Sequence, residues 1–499
     1  MLISRLAQCG SRLCRHSVGV FAVAAGLVVG SLGAPAQGLP TPIPTNASTP
    51  APAAAMPTAL TQSQNPLFGS VASGKATPEV LPLSALDAID RGLKYNLSLL
   101  LSEQATTGAR GARYRALADV LPTLSGRVAE SVQEINLAAY GIPPPAGTGP
   151  VIGPFAVFDA RVLVSGNFLD LHALNLLRAR TEDVNAAQLE LQNARDLIVL
   201  VVGGTYMQAL AGEARIVSVE AQLTTAQVLY RQALDMKNAG MVPGIDVLRS
   251  QVEMQVQQQR LLAVRNDFAK QKLALGRIIG LPAAQEFSLT EKIPVTPAAP
   301  LTLEQALERA YRDRPDYHRA QAQVRAAELT RKAAIGEALP TIKFNADYGI
   351  MGQRPSENHP TYTTTAALNI PIFQGGKAKG DVMLADALIR QREAKLGDLR
   401  GQIEFEVRTS FLDLQSAAEQ VQVAQSSSKL AEEALAQSRD RFRAGVTNTV
   451  EVVQAQEALA ATNENYINST FAYNGAKLTL ARSLGVAERA VKDFLGGKH

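Results

Sequence analysis

The sequence predicts a mainly α-helical protein with a small transmembrane β part, in which a strand pair and long coiled-coil hairpins occur twice. Three observations predict this fold class. The stretch 376–443 has no proline and carries apolar residues three and four positions apart, which is typical of one helix face. Residues 341–350 alternate between apolar and polar, as a strand does. Short motifs recur at constant spacing, which indicates an internal repeat.

Two pairs of motifs define the repeat. LPTL at 121–124 recurs as LPTI at 339–342, and AGM at 239–241 recurs as AGV at 444–446. Pro122 and Pro340 each follow a segment with helical character, and proline disfavours helix in the residue before it. We therefore expect a medium-length helix to end, and a strand to begin, at both prolines.

The motif spacing divides the chain. The predicted divisions are a first structural repeat, 81–282, an inter-repeat linker, 283–300, a second structural repeat, 301–486, and a C-terminal tail, 487–499. Hairpin helices are predicted at 166–238 and 244–280, and again at 376–443 and 449–484. Each long helix would measure about 100 Å at 1.5 Å per residue, which favours coiled-coil packing. Medium helices near 96–120 and 315–338 would complete the flank of each long helix.

Four strands of about ten residues or more are predicted, two in each repeat. Their predicted bounds are 123–135, 154–165, 341–351 and 361–373. All but the first alternate clearly, with one apolar and one polar face, as transmembrane barrel strands do. An ordinary soluble sheet packed on a helix would show the same pattern. Four strands cannot close a membrane barrel, so strands that span a membrane require several chains, and a trimer would supply twelve.

The N-terminal segment indicates export. Residues 1–36 contain three arginines, an apolar stretch and Ala34-Pro35-Ala36, which are the parts of a cleaved signal peptide. Cys9 and Cys14 both precede the apolar stretch, so we expect no N-terminal lipid attachment and no disulfide in the mature chain. Residues 37–80 are rich in Pro and Ala, and are predicted to be a disordered linker.

Composition and motif content argue against several classes of function. The chain has 49 basic and 45 acidic residues, a balance that favours no nucleic-acid partner. The five histidines are scattered and the chain has no CxxC motif, so no catalytic constellation is visible. We expect no enzyme activity, no cofactor and no metal site.

The order, lengths and junctions of these elements resemble those of TolC-like outer-membrane efflux proteins. The features that carry the resemblance are the two LPT junctions, the strand-to-helix junctions at Gly166 and at Gly375 and Gly376, and the two hairpin tips. The resemblance covers residues from about 83 to 486. It implies a homotrimer in which a twelve-stranded β-barrel in the outer membrane continues as a periplasmic α-helical barrel.

The resemblance also implies a function and partners. The chain would be the passive outer-membrane channel of a tripartite efflux or type I secretion system. Its partners would be outer-membrane lipid, a periplasmic adaptor (membrane fusion) protein and an inner-membrane pump. That pump would be proton-driven (RND) or ATP-driven (ABC), and it would select the cargo, which this sequence does not name.

The hairpin tips are the candidate site. Asp246 and Glu451 occupy equivalent positions in the two repeats, followed three residues later by Arg249 and Gln454. In the resembled family, tip acids form the periplasmic gate, while the simpler interpretation is helix-start electrostatics. The expected adaptor-docking residues are Gly240, Met241 and Val242 in the first tip and Gly445, Val446 and Thr447 in the second.

Two other interpretations compete with the channel. A periplasmic coiled-coil adaptor or scaffold would share the long hairpins but have no membrane barrel. A general porin would be nearly all strand, and the long helices argue against it.

Overall fold

The computed structural model describes residues 65–144, 147–291, 301–447 and 449–489. The predicted signal peptide and residues 37–64 of the predicted linker lie outside the described residues. The helices are α1 (Ala85–Tyr95), α2 (Leu97–Ala118), α3 (Leu171–Asn238), α4 (Gly244–Ile278), α5 (Leu303–Asp313), α6 (Pro315–Gly336), α7 (Lys377–Arg443) and α8 (Thr449–Ser483). The strands are β1 (Leu81–Leu83), β2 (Thr123–Asn136), β3 (Val151–Leu169), β4 (Phe287–Leu289), β5 (Thr341–Arg354) and β6 (Glu357–Asn369).

The predicted repeat is present in the element order. Each half runs from a short helix through a medium helix, two strands and a long helix to a shorter returning helix. The equivalence extends to the capping of the short helices. Ser84 and Asp87 form a capping box at the start of α1, and Thr302 and Gln305 form one at the start of α5.

The helices lie side by side in an order set by their contacts. α2 and α4 pack against α3, α6 and α8 pack against both α3 and α7, and α7 is the last in the row. Along α3, the Thr106 hydroxyl of α2 donates to Ala187 O, and Arg265 of α4 pairs with Glu220. The two shorter helices therefore contact different stretches of one long helix, as their lengths predict. One stretch of α3 is apolar and long enough to cross a membrane, but 56% of it is buried within the chain, as in a core helix.

The four long strands form one antiparallel sheet in the order β2-β3-β5-β6. The register places the apolar positions of neighbouring strands opposite one another. Leu124 pairs with Val164, and Val164 pairs with Ala346. Tyr348 pairs with Tyr362. One face of the sheet is therefore mainly apolar, with Glu130 and Thr364 as exceptions, and the other carries mainly Ser, Thr, Asn and charged residues.

The strand bounds differ from the predicted ones. β3 runs to Leu169, so Gly166 lies inside the strand and not at the strand-to-helix junction, and Asp170 caps α3 instead. A Cβ at Gly166 would lie 3.0 Å from Phe344 Cε1 and 3.1 Å from Pro122 Cα. Close strand packing therefore explains this glycine. β6 ends at Asn369, four residues before the predicted end at 373.

Two segments predicted as linkers are partly built into the fold. Within the predicted 37–80 linker, Leu67 and Phe68 pack on the hydrophobic core, and Ser73 N donates to Gly280 O at 3.1 Å. Within the predicted 283–300 linker, β4 pairs in parallel with β1. The linker prediction is wrong for these residues, because isolated apolar side chains in each stretch find a core to bury in.

The predicted C-terminal tail, 487–499, also begins inside the fold. Ala487 is buried, and Glu488 forms a bidentate ion pair with Arg195 of α3. The rest of the tail, from residue 490, lies outside the described residues.

Glycines with positive φ follow the long and the returning helices, at Gly240, Gly280, Gly445 and Gly485. Gly280 and Gly240 can be compared in a stability test because their surroundings differ. A Cβ at Gly280 would lie 2.6 Å from Tyr95 Cβ and 3.0 Å from Val71 O, whereas one at Gly240 would meet nothing within 4 Å. Both substitutions to alanine carry the left-handed backbone cost of about 1–2 kcal/mol. We expect Gly280→Ala to cost a further 1–3 kcal/mol, roughly the cost of overpacking. Equal unfolding midpoints for the two variants in denaturant would contradict this.

Candidate functional site

The first hairpin tip joins α3 to α4 through a tight glycine turn. Gly240 has φ +75°, Gly240 N donates to Lys237 O at 2.9 Å, and Met241 N donates to Met236 O at 2.9 Å. These bonds satisfy helix-end carbonyls, which a left-handed residue makes possible. Pro243 then occupies the N-cap position of α4.

The second tip, between α7 and α8, repeats this geometry. Gly445 has φ +72°, Gly445 N donates to Phe442 O at 3.0 Å, and Val446 N donates to Arg441 O at 3.0 Å. Both glycines therefore lie two residues beyond a long helix, and these helices end at the predicted positions 238 and 443. The tips differ after the turn, because only the second has a threonine there, and Thr447 donates its hydroxyl to the Glu451 carboxylate.

The two tip acids occupy unlike environments although their sequence positions match. Asp246 is only 8% exposed and its Oδ1 lies 3.4 Å from Arg249 Nη1. Glu451 is half-buried, and its Oε1 lies 3.5 Å from Arg441 Nε. Gln454 is exposed one turn further along α8. Each carboxylate is thus already neutralised in part by an arginine of its own chain.

Apolar side chains are exposed at the ends of both tips. Met241 is 66% exposed and Val446 is 69% exposed, while Val242 is half-buried. Beneath the tips, a small core cluster of Leu229, Leu435, Phe442 and Val452 holds the two hairpins together. The two tips are therefore joined by a shared core and present apolar groups outward.

The helix-to-strand junctions hold the helices and the sheet together. Pro122 and Pro340 lie between the ends of α2 and α6 and the starts of β2 and β5, as predicted. Gly375 and Gly376, with φ of +59° and +87°, turn the chain from β6 into α7. Of the predicted junction glycines, only Gly166 does not lie at a junction.

Exposed apolar residues follow the two outermost helices, a feature that sequence reasoning missed. On α4 and α7 these stripes comprise Ile245, Leu248, Val252, Val256, Leu262 and Leu273, and Phe405, Leu412, Val423 and Leu430. The signal was present as spacings of three, four, seven and eleven residues. Only the packing shows that these faces are left uncovered within one chain.

The polar face of the sheet carries a second feature that the sequence did not reveal. Arg161 on β3 binds Asp159 and Asp347, with N–O distances of 2.7 Å to each. Arg127 lies directly opposite Arg161 in the register. Charged residues thus gather on the face opposite the apolar one, which is the distribution expected if that face contacts water.

Comparison with known proteins finds similarity to outer-membrane efflux proteins. The model of the outer membrane efflux protein family matches residues 305–486. The pyoverdine export outer membrane protein OpmQ of Pseudomonas putida is 22% identical over 317 residues, which are 60% of this chain and 64% of OpmQ. The cobalt-zinc-cadmium resistance protein CzcC of Cupriavidus metallidurans is 28% identical over 207 residues, which are 41% of this chain and 48% of CzcC. The chain thus spans less than two thirds of the length of these relatives.

Solved structures share the fold at low sequence identity. The outer-membrane channel OprN superposes with a TM-score of 0.69 at 17% identity, covering 80% of this chain and 89% of OprN. The outer membrane protein VceC of Vibrio cholerae superposes with a TM-score of 0.68 at 19% identity, covering 80% of this chain and 96% of VceC. The superposed part therefore includes nearly all of VceC. The second half of the chain thus matches the outer membrane efflux protein family, and the chain shares the fold of these two outer-membrane proteins.

Proposed function

We propose that this chain is the outer-membrane channel of a tripartite efflux or type I secretion system, and that it conducts cargo passively. The observation that carries the proposal is a sheet with one apolar and one polar face, continued directly by helices about 100 Å long. The apolar face would contact outer-membrane lipid and the polar face the lumen. A soluble adaptor or scaffold would leave the apolar face in water.

The open edges of one chain support a trimer. Within the described residues, β2 and β6 each pair on one side only, and a bilayer tolerates no open strand edge because its backbone groups would lack partners. Three chains would close twelve strands. The same assembly would bring α7 of one chain against α4 of the next and bury both apolar stripes.

The apolar stripes of α4 and α7 lie at similar distances from the hairpin tips. Measured from the tip ends Gly244 and Arg443 at 1.5 Å per residue, Val256 and Leu430 lie about 18 and 20 Å away. Leu262 and Val423 lie about 27 and 30 Å away by the same measure. The levels therefore agree to within a few ångströms along the helices.

A cysteine crosslink tests the trimer. The only cysteines of the sequence, Cys9 and Cys14, lie in the predicted signal peptide. In the mature chain, Val256→Cys with Leu430→Cys would therefore introduce a pair without competing thiols. We expect oxidation to yield covalent dimers and trimers on denaturing gels. The control pair, Val256→Cys with Phe405→Cys, is mismatched in height by about 40 Å. Equal crosslinking of the two pairs would contradict the arrangement.

We infer that the hairpin tips form the inner entrance and dock the periplasmic adaptor. Exposed Met241 and Val446 offer the apolar contact, and the glycine turns keep both tips narrow. The relatives are named for pyoverdine export and for cobalt-zinc-cadmium resistance, which are chemically unlike cargoes. We therefore assign cargo selection to the inner-membrane pump, of RND or ABC type, and not to this chain.

Within this entrance, we propose that Asp246 and Glu451 form a charged gate. A trimer would place six carboxylates at the mouth, and Arg249 and Arg441 would orient them through the ion pairs within each chain. Asp246→Asn with Glu451→Gln keeps the side-chain shapes and removes the charges. In planar bilayers, we expect weaker block by divalent cations, because the carboxylates that would bind them are removed.

A matched control for the gate is Asp440→Asn. Asp440 is exposed at the same tip and pairs with Arg443 at 3.4 Å, so it tests whether any nearby charge gives the effect. Two results would contradict the gate: block by divalent cations that is unchanged in the double variant, or block that is weakened equally in Asp440→Asn. In either case the two acids would only stabilise the starts of their helices.

A further inference from the structure

A cationic cavity lies between α2 and α3, close to the sheet. It measures about 450 Å³ and takes its donors from Arg110 and Arg113 on α2 and from Thr181, Asn185 and Gln188 on α3. Arg113 Nε donates to Thr181 Oγ1 at 3.3 Å, which fixes one guanidinium at the wall. The cavity is thus lined by hydrogen-bond donors on both helices.

The positive charge of this cavity is not neutralised within the described part of the chain. Arg110 has no hydrogen bond or ion pair there. Arg178 is exposed on the same face of α3 as Thr181 and Asn185, at spacings of three and seven residues, but it does not line the cavity. The neighbouring acids are engaged elsewhere, because Glu182 pairs with Arg325 and Asp183 with Arg180.

The cavity lies just below the sheet. Arg113 is five residues before the end of α2 at Ala118, or about 7 Å along the helix. The apolar face of the sheet begins shortly afterwards, at Leu124 on β2. If that face contacts lipid hydrocarbon, the cavity lies at the depth of the adjoining headgroups, since headgroup layers add several ångströms on each side of the hydrocarbon.

The cavity also opens on the side of the helix layer that continues the apolar face of the sheet. Leu176 of α3 lines a separate cavity together with Thr123, Ser165 and Asn345, which belong to the polar face. At about 100° per residue, Thr181 and Asn185 lie about 140° and 180° around α3 from Leu176. The arginine cavity therefore faces away from the polar side and continues the apolar face.

We propose that this cavity binds the phosphate headgroup of an anionic lipid in the membrane leaflet nearest the helices. Guanidinium groups bind phosphate through paired hydrogen bonds, and the amides and hydroxyl can donate to the remaining oxygens. Basic clusters beside a membrane segment are attracted to anionic lipid. The inference rests on the proposed function, because it needs the sheet to lie in a membrane.

Native mass spectrometry of the purified full chain in detergent tests this, with phosphatidylglycerol and phosphatidylcholine as probes. We expect phosphatidylglycerol to be retained preferentially, and Arg110→Gln with Arg113→Gln to reduce its retention about thirtyfold. The control, Arg115→Gln with Arg231→Gln, also removes two charges from α2 and α3, but neither residue lines the cavity. Its retention should match the unaltered chain.

Three results would overturn the proposal. These are equal retention of the two lipids, equal loss in the control, and arginine-dependent binding of inorganic phosphate without any preference between the lipids. Channel conductance, measured separately in neutral bilayers, shows whether the lipid-binding proposal alone fails or the proposed channel function fails as well. Conductance without lipid preference would leave the proposed function standing, whereas a chain that never inserts or conducts would refute that function itself.

Discussion

Replacing Arg314 by alanine is expected to lower the free energy of unfolding by about 3–5 kcal/mol, the usual cost of breaking a buried ion pair. Arg314 is 1% exposed, at the junction of α5 and α6. Its guanidinium binds both carboxylate oxygens of Asp316, at 2.6 and 3.0 Å, and Glu406 of α7 at 2.7 Å. Without it, Asp316 would stay buried with Arg482, 3.7 Å away, as its remaining ion-pair partner.

The pH dependence of this loss has a definite sign. Burial by itself raises the pKa of Asp316, but the hydrogen bonds and charge of Arg314 outweigh it and hold the pKa below its usual value. The pair therefore contributes stability above about pH 4, the pKa in the unfolded chain, and this contribution is lost as pH falls through the lowered folded pKa. The difference between the variant and the unaltered chain should be largest near neutral pH and should narrow in acid.

Arg312→Ala is the matched control for Arg314. Arg312 is two residues away and pairs with Asp313, but its side chain is 67% exposed, and exposed ion pairs contribute little to stability. Denaturant midpoints and limited proteolysis of the two variants at pH 7 and at a pH well below 4, about pH 2.5, provide the measurement. Equal midpoints at pH 7 would mean that the buried network does not stabilise the second repeat.

Placing arginine at Val162 is expected to abolish membrane-inserted trimers. Val162 lies on the apolar face, between Gly126 and Tyr348 in the register, near the middle of the sheet. Arginine on the lipid face at mid-membrane costs about 2–4 kcal/mol, and three chains would each bear that cost. Heat-modifiable trimers in an outer-membrane fraction provide the readout.

The adjacent residue supplies the control. Leu163 lies on the polar face between Ser125 and Asp347, so Leu163→Arg would point the same charge into the lumen, beside a carboxylate. We expect this variant to assemble. If Val162→Arg assembled equally well, the apolar face would not contact lipid, and the scaffold function would gain support.

The helices and the repeat could be predicted from local patterns. The 3.6-residue period, the absence of proline and the recurrence of the tip motifs place α3, α4, α7 and α8 within a few residues of their bounds. Strand ends were harder to predict, because β3 continues to Leu169 through pairing with β5. β2 alternates poorly since Gly126 and Glu130 fall on the apolar face, and only its partners show that Leu124, Val128 and Val132 share that face.

The candidate site, too, is predictable from sequence only in part. The glycine turns at Gly240 and Gly445 follow from sequence because a left-handed residue is a local property. The unequal burial of Asp246 and Glu451 does not, because it depends on side chains that are distant along the chain. The same limit applies to Leu67 and Phe68. The Pro- and Ala-rich composition around them predicts a linker, but in the structure both side chains pack against the hydrophobic core.

Local sequence patterns are enough to predict two equivalent halves, long helical hairpins with glycine tips, and strands with one apolar face. These features are local, since they depend on period, caps and turns. Three other features cannot be predicted in this way: the apolar faces of the four strands coincide, α4 and α7 leave apolar stripes uncovered, and Arg314 is buried. Those facts depend on register and packing between distant segments, where each residue's environment is supplied by others far along the chain.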